Sequence, residues 1–222
     1  MRFGLDVSQH QLTWDEILSR ARFAEAAGFD GVWVFDHFKP LYADPKGPCF
    51  EAWTLLAALA AATERIRLGA LVTGVTYRHP SILTAEAVTV DHVSGGRLEL
   101  AIGAAWFEQE HRELGVEFPA DGERKMLPLV ARRADVWHGS GGSDSLIRKS
   151  QLIDREAQAA GRDPSEIARS TWLSLSEPWD EVRRRLDALG EAGFDYFTVS
   201  WPSEGKDRLD EFVADVMPDY AR

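Results

Sequence analysis

The stretch AEAAGFDGVWV, residues 24–34, decides how this chain folds. Its alanine-rich first half reads as the end of a helix, and Gly28 fits the left-handed position just past that end. After Phe29-Asp30 comes an apolar run suited to a buried strand. The same order of helix, Gly, Phe-Asp and strand returns as LGEAGFDYFTV at 189–199, so the chain follows a repeated βα plan.

Extended outward from these two points, the plan covers most of the chain. Strands are expected at 2–7, 31–36, 66–74, 97–104, 135–139, 167–175 and 196–201. Helices are expected at 12–28, 49–64, 80–96, 106–115, 122–134, 144–161, 178–193 and from Lys206 onward. Thr13 and Glu16 form a capping-box pattern at the first helix. The strands are apolar runs rather than alternating ones, which is the mark of parallel strands covered on both faces. One beat is missing, because ELGVEFPADGERKML (113–127) passes from helix to helix with no strand between. The expected class is therefore α/β, a shortened TIM (β/α)8-type barrel lacking its fifth strand, in a single domain over 1–222. A doubly wound open sheet is the structural alternative, but no strand leads into a G-x-G-x-x-G turn; GSGGSD at 139–144 comes nearest and has Asp144 where the last glycine belongs.

Composition narrows the function. With 45% hydrophobic and 27% charged residues, the chain has the balance of a soluble domain with a sizeable core. The net charge of −11 supplies no extended basic surface, which argues against nucleic acid and anionic membranes. Cys49 is the only cysteine, so no internal disulfide forms and a cytoplasmic setting is expected. The apolar run AWTLLAALAAA (52–62) is too short to span a bilayer.

Barrel active sites lie just past the carboxyl ends of the strands. Here that rule collects Asp6 and Ser8, Asp36 and His37, Thr73 to Val75, Gly103 to Ala105, His138, Ser174 and Ser176, and Ser200 and Trp201. Small residues after strands three and four leave room for a flat ring near the backbone. His37 ends an apolar strand, where it is either a donor to a bound ring or a general acid, or else a residue that orders the following loop. Arg78 and His79, before a helix begun at Pro80, make either an anion site or loop-ordering contacts. Glu108 and His111 have the spacing of a di-iron ligand pair, but the second pair such sites need is absent, so a solvated helix face is expected and no metal. Trp33 and Trp172 lie inside strands and read as core, while Trp106, Trp137 and Trp201 lie near strand ends. No nucleophile elbow or cysteine motif is present.

Four segments together, AEAAGFDGVWVFDHF, TERIRLGALVTGVTYRHP, VDHVSGGRLELAIGAAWFEQEH and GERKMLPLVARRADVWH, resemble the bacterial luciferase-like monooxygenase superfamily. Within it they are most similar to oxidoreductases that use the deazaflavin coenzyme F420. The likeness runs through residues 1–118 and resumes at 122. It implies a TIM barrel whose mouth holds the cofactor ring between the strand-two pair Asp36-His37 and a cis peptide after strand three, placed at Gly74-Val75. It further implies cofactor contacts from Thr73, Gly74, Val75, Gly103 and Ala104, with Ala105 adding a methyl where relatives have glycine. The catalytic pair would be His37, acting on a small-molecule substrate, and Asp36, orienting it. FMN is the alternative cofactor, with a luciferase-like monooxygenase activity; a non-catalytic flavin-binding relative is a third reading.

The resemblance also locates the missing beat. Relatives insert a helix, a fifth strand and a glycine-rich phosphate-holding turn between the positions of Phe118-Pro119 and Gly122-Glu123-Arg124. The chain lacks about seventy of those residues and at 222 falls short of the roughly 250 of a typical barrel. Only Gly122, Glu123 and Arg124 remain of the phosphate grip. A homodimer through the helices after strands two and three is implied as well.

Overall fold

The computed structural model of the chain describes residues 1–41, 44–104, 106–118 and 122–221, with backbone alone for 122–125. Its elements run β1 (Arg2–Asp6), α1 (Trp14–Ala26), β2 (Gly31–Val34), α2 (Ala52–Ala62), β3 (Arg67–Ala70), β4 (Thr73–Gly74), α3 (Pro80–Ser94), β5 (Ile102–Gly103) and α4 (Glu108–Leu114). Then follow α5 (Gly122–Arg133), β6 (Val136–Gly139), α6 (Ser143–Ala159), β7 (Ala168–Leu173), α7 (Trp179–Glu191), β8 (Phe194–Ser200), α8 (Lys206–Glu211) and α9 (Met217–Tyr220). Strands and helices alternate as expected, and among the described residues no strand intervenes between α4 and α5. The class is α/β with parallel strands, a shortened barrel plan. The elements group into two compact units, Leu5–Gly122 and Met1–Gly4 with Glu123–Arg222. That division falls beside the sequence junction, whose Pro119, Ala120 and Asp121 lie outside the described residues.

In the unit Leu5–Gly122, α1 starts from the expected capping box: the Thr13 and Glu16 side chains each bond the other's backbone N–H. Ile17, Ala21 and Ala24 form its buried stripe. Gly28 has φ +82°, which only glycine adopts without strain, and it lets Phe29 turn under the sheet at 5% exposure. Strands β2 and β3 pair in parallel with Trp33 beside Gly69. The third expected strand is broken at Leu71-Val72 into β3 and β4. The fourth is reduced to a bridge between Leu68 and Leu98 plus the short β5, which pairs with β4. With a ladder on one side only among the described residues, β5 has half the bonds of an interior strand, and Leu100 and Ile102 stay exposed. Helix α2 buries Trp53, Leu55, Leu56 and Leu59 against its own unit. Exposed Ile82 and Val88 sit instead on α3.

In the other unit β6, β7 and β8 pair in parallel. The second copy of the opening pattern behaves as the first does: Gly193 has φ +90° and Phe194 is 1% exposed. Phe3 stacks near Phe197 and Phe212, at 6.1 and 5.4 Å between ring centroids. Leu146 and Ile153 of α6 and Val182, Leu186 and Leu189 of α7 complete this core. Among the described residues no helix is long and apolar enough to cross a membrane.

Candidate active site

The site builds from the end of β2. Past the last ladder bond, from Val7 N–H to Trp33 O, the buried side chain of Gln9 takes over as a substitute strand. Its Oε1 accepts from Phe35 N–H at 3.0 Å and its Nε2 donates to Phe35 O at 2.5 Å and Phe50 O at 3.2 Å. These bonds fix the backbone immediately before Asp36 and His37.

Asp36 and His37 then face different partners. The Asp36 carboxylate accepts from Gly74 N–H at 2.9 Å and takes both arms of the Arg78 guanidinium, at 2.7 and 2.9 Å. Arg78 also donates to Glu51 at 2.5 Å and lies 3.4 Å from Glu86. Burial would lower the Arg78 pKa, but its bonds to Asp36 and Glu51 outweigh that and raise it. Asp36 thus ties β2 to the backbone after β3, and the expectation that it orients His37 is corrected. Arg78 is consumed by carboxylates and His79 caps α3 by accepting from Ser81 N–H at 3.3 Å. Of the two readings for that pair, loop ordering is the one the contacts support.

Glu110 is what holds His37. Its 1%-exposed carboxylate accepts from His37 Nδ1 at 2.8 Å, from the Tyr77 hydroxyl at 2.7 Å and from Phe38 N–H at 2.9 Å. Burial pushes the Glu110 carboxyl up, and the bonds from His37, Tyr77 and Phe38 outweigh that push, keeping it below the ordinary range. Burial and then Glu110 itself push the Tyr77 hydroxyl well up, so it stays a donor. A carboxylate has no proton to give, so Nδ1 of His37 carries one and the basic atom of the neutral ring is Nε2. The His37 side chain's hydrogen bond among the described residues is the one through Nδ1, which leaves Nε2 open. Around the ring stand Phe35, Trp106 and Phe107, with centroids at 6.3, 5.9 and 6.2 Å.

Buried polar atoms of this unit without a hydrogen-bond partner among the described residues include Trp53 Nε1, His10 Nε2 and Thr73 Oγ1. An unsatisfied buried group costs about 1–3 kcal/mol, so each calls for a ligand or an explanation. His10 stacks on Phe35 at 5.0 Å and is pinned by an antiparallel bridge to Cys49. Burial and the neighbouring His37 lower its pKa, with Glu110 opposing. His37 Nε2, His10 Nε2 and Thr73 Oγ1 are of the donor and acceptor types that a heteroaromatic ring edge would use.

Other expected residues fall less simply. The cis peptide is at Leu71-Val72, not Gly74-Val75, because the strand breaks there rather than running on to Gly74. A Cβ on Gly74 would strike the Tyr77 ring and one on Gly103 would strike Val72. In the Cβ direction the room expected for a flat ring is filled by the chain's own side chains. Val75 is exposed and bonds Gly103 O through its N–H, while Ala104 follows β5. Gly122, Glu123 and Arg124 open α5, and their side chains, like Ala105, lie outside the described residues. Glu108 is exposed and pairs with Arg112, but His111 is fully buried, its Nδ1 on Phe107 O and Nε2 on the Thr76 hydroxyl, so a solvated face is right for only one of the two. His138 is half-buried in the other unit, its Nδ1 on the Ser170 hydroxyl, Trp137 is core, and Trp106 is exposed.

Comparison with known proteins gives the lineage. The chain is 30% identical over 165 residues to an F420-dependent glucose-6-phosphate dehydrogenase of Microbacterium testaceum, covering 71% of this chain and 48% of that protein. It is 28% identical over 151 residues to the oxygenase component of a flavin-dependent trigonelline monooxygenase of Acinetobacter baylyi, covering 63% and 40%. The chain thus spans about half the length of the curated relatives it matches. Its fold is similar to that of the coenzyme F420 dependent tetrahydromethanopterin reductase of Methanopyrus kandleri, with TM-score 0.80, 15% identity and 99% of each chain covered. The luciferase-like monooxygenase family matches residues 1–124, more than half of the sequence and all of the His37–Glu110 site, and the chain belongs to that family.

Proposed function

We propose that the chain is an oxidoreductase working with coenzyme F420 on a small organic substrate. The observation that carries this reading is the His37 imidazole, anchored through Nδ1 by an ionised Glu110 and presenting an unpartnered Nε2. When bound, F420 supplies the hydride-exchanging carbon. His37 Nε2 moves the accompanying proton, taking it from a substrate hydroxyl in oxidation or returning it to the oxygen in reduction. Glu110 holds the ring orientation and stabilises the imidazolium formed. Thr73 Oγ1 and His10 Nε2 hydrogen-bond the bound ring or substrate, and Trp106 and Phe107 keep water from the His37 face.

The F420 relatives support this cofactor. The flavin-dependent relative favours a second reading, an FMN monooxygenase on the same wall. Titrating the purified chain with each cofactor separates them: saturable quenching of F420 fluorescence is expected, and saturable FMN binding with no F420 binding would overturn the first reading. His37→Ala should retain F420 binding and abolish oxidation of reduced F420; a wild-type chain that binds F420 but turns over nothing across a carbonyl panel would be a non-catalytic relative. A homodimer is part of this proposal, with exposed Ile82 and Val88 of α3 as its surface, and light scattering that returned a monomer would remove it.

A further inference from the structure

At the carboxyl ends of β7 and β8, within the unit that contains both, lies a cavity of about 430 Å³. The indoles of Trp172 and Trp201 and the side chains of Ser174, Ser176, Ser200 and Ser203 line it. This is room for one small molecule, with aromatic faces and convergent hydroxyls.

The hydrogen bonds there sort the ligands. Ser176 and Ser203 both donate to Glu204 Oε2, at 3.2 and 3.0 Å. A hydroxyl has one proton, so both oxygens are left to the cavity as acceptors. Ser174 accepts from Ser176 N–H at 3.3 Å and keeps its own proton to donate. A carboxylate offers acceptors only, and a phosphate brings at most two O–H donors beside its charge, so either meets the two acceptor oxygens with Ser174 as the donor. Arg208, which reaches the cavity wall at Leu175 O, is already committed: it also donates to Glu177 O and Glu211, and its guanidinium carbon lies over the Trp179 ring, 3.4 Å from the centroid. Glu204 is held below the ordinary carboxylate range chiefly by its own backbone N–H and the Ser203 and Ser176 hydroxyls, and as a fully exposed carboxylate its pull on an organic cation is screened by water. What remains is an uncharged molecule rich in hydroxyl donors with a carbon face for an indole.

We propose that the cavity between the ends of β7 and β8 binds an uncharged polyhydroxylated molecule, its hydroxyls donating to Ser176 and Ser203 and its apolar face against an indole. The proposal concerns binding alone and stands or falls apart from the redox reading. Methyl β-glucoside is the probe, titrated by calorimetry against the full chain, with inorganic phosphate and choline as the anionic and cationic arms. Saturable glucoside binding is expected with Kd at or below about 1 mM, and none for phosphate or choline. Ser176→Ala and Ser203→Ala should each weaken it roughly fivefold, the loss of about one hydrogen bond. Both serines are exposed, so the variants keep their fold, which far-UV circular dichroism checks. Preferential binding of phosphate or choline, glucoside affinity unchanged in the double variant, or no glucoside saturation by about 50 mM would each overturn the proposal.

Discussion

Replacing Glu110 by glutamine tests whether that carboxylate organises the site. The side chain is 1% exposed and accepts three hydrogen bonds, from His37, Tyr77 and Phe38 N–H. Glutamine has nearly the same shape but one acceptor atom and one NH2, so at least one of the three donors loses its acceptor and all three lose charge assistance. A hydrogen bond to a charged group contributes about 1.5–3 kcal/mol against about 0.5–1.5 for a neutral one. The sum over three bonds, with one donor stranded, is a destabilisation of about 3–5 kcal/mol. Tyr77→Phe removes a single charge-assisted bond and should cost about 1.5–3 kcal/mol, falling by at least about 1 kcal/mol in the Glu110→Gln background. Urea unfolding at pH 7.5 followed by near-UV circular dichroism supplies the four corners of this cycle, and 15N-detected NMR of the imidazoles reports the His37 tautomer. A Glu110→Gln change within about 0.5 kcal/mol of wild type, or strict additivity with Tyr77→Phe, would show that the carboxylate does not do what the geometry assigns to it.

Two further outcomes follow from other parts of the chain. Burial pushes the His138 imidazole down from 6.5 to about 4, so below pH 6.5 the unfolded chain holds the extra proton and stability falls as pH falls, levelling off below about 4. Between pH 7.5 and 5 this removes about 2 kcal/mol, which denaturant titrations should show in wild type and not in His138→Asn. The second rests on the proposed cofactor and on the resemblance, which implies that the glycine-rich phosphate turn is absent: the deazaflavin chromophore without its phosphate should bind within about tenfold of intact F420, roughly the 1.4 kcal/mol of one modest contact. A hundredfold or larger preference for the phosphate form, by fluorescence titration, would show that a phosphate grip survives.

Much of the fold was legible because its signals are local. The Thr13-Glu16 capping box and the two Gly-Phe-Asp turns depend on residues a few positions apart, and each formed as expected. Tertiary context cut short what local reading had extended, as when 97–104 gave only β5 and a bridge once one neighbour was absent. Glu110 was missed although a signal existed. Phe107, Glu110, His111 and Leu114 share one helical face by their 3-4-7 spacing, and a carboxylate on the face led by Phe107 has to find donors. Glu108, two positions earlier, is the more conspicuous carboxylate because it makes the Glu-x-x-His pattern with His111. For Gln9 there was no such signal, because its role as a substitute strand depends on where two separate backbones end. Asp36 lay in the expected place, yet its partner Arg78 is 42 residues on, and adjacency to His37 suggested the wrong contact.

The missing fifth strand separates two demands that a whole barrel meets together. Gln9, Asp36, His37, Tyr77, Arg78 and Glu110 all belong to Leu5–Gly122, and each bond that fixes His37 is made between residues of that unit. Asp36 locks the backbone at Gly74, Glu110 locks both the His37 ring and the Phe38 amide, and Tyr77 joins the two locks by standing against Gly74 while donating to Glu110. A closed set of charge-assisted bonds centred on Glu110, 1% exposed, and Asp36, 3% exposed, keeps its geometry without help from a neighbouring strand. Under the proposed function, the group that would move a proton therefore needs nothing from beyond Phe118. The segment that the family resemblance would add there would serve the phosphate end of the cofactor, away from the chemistry.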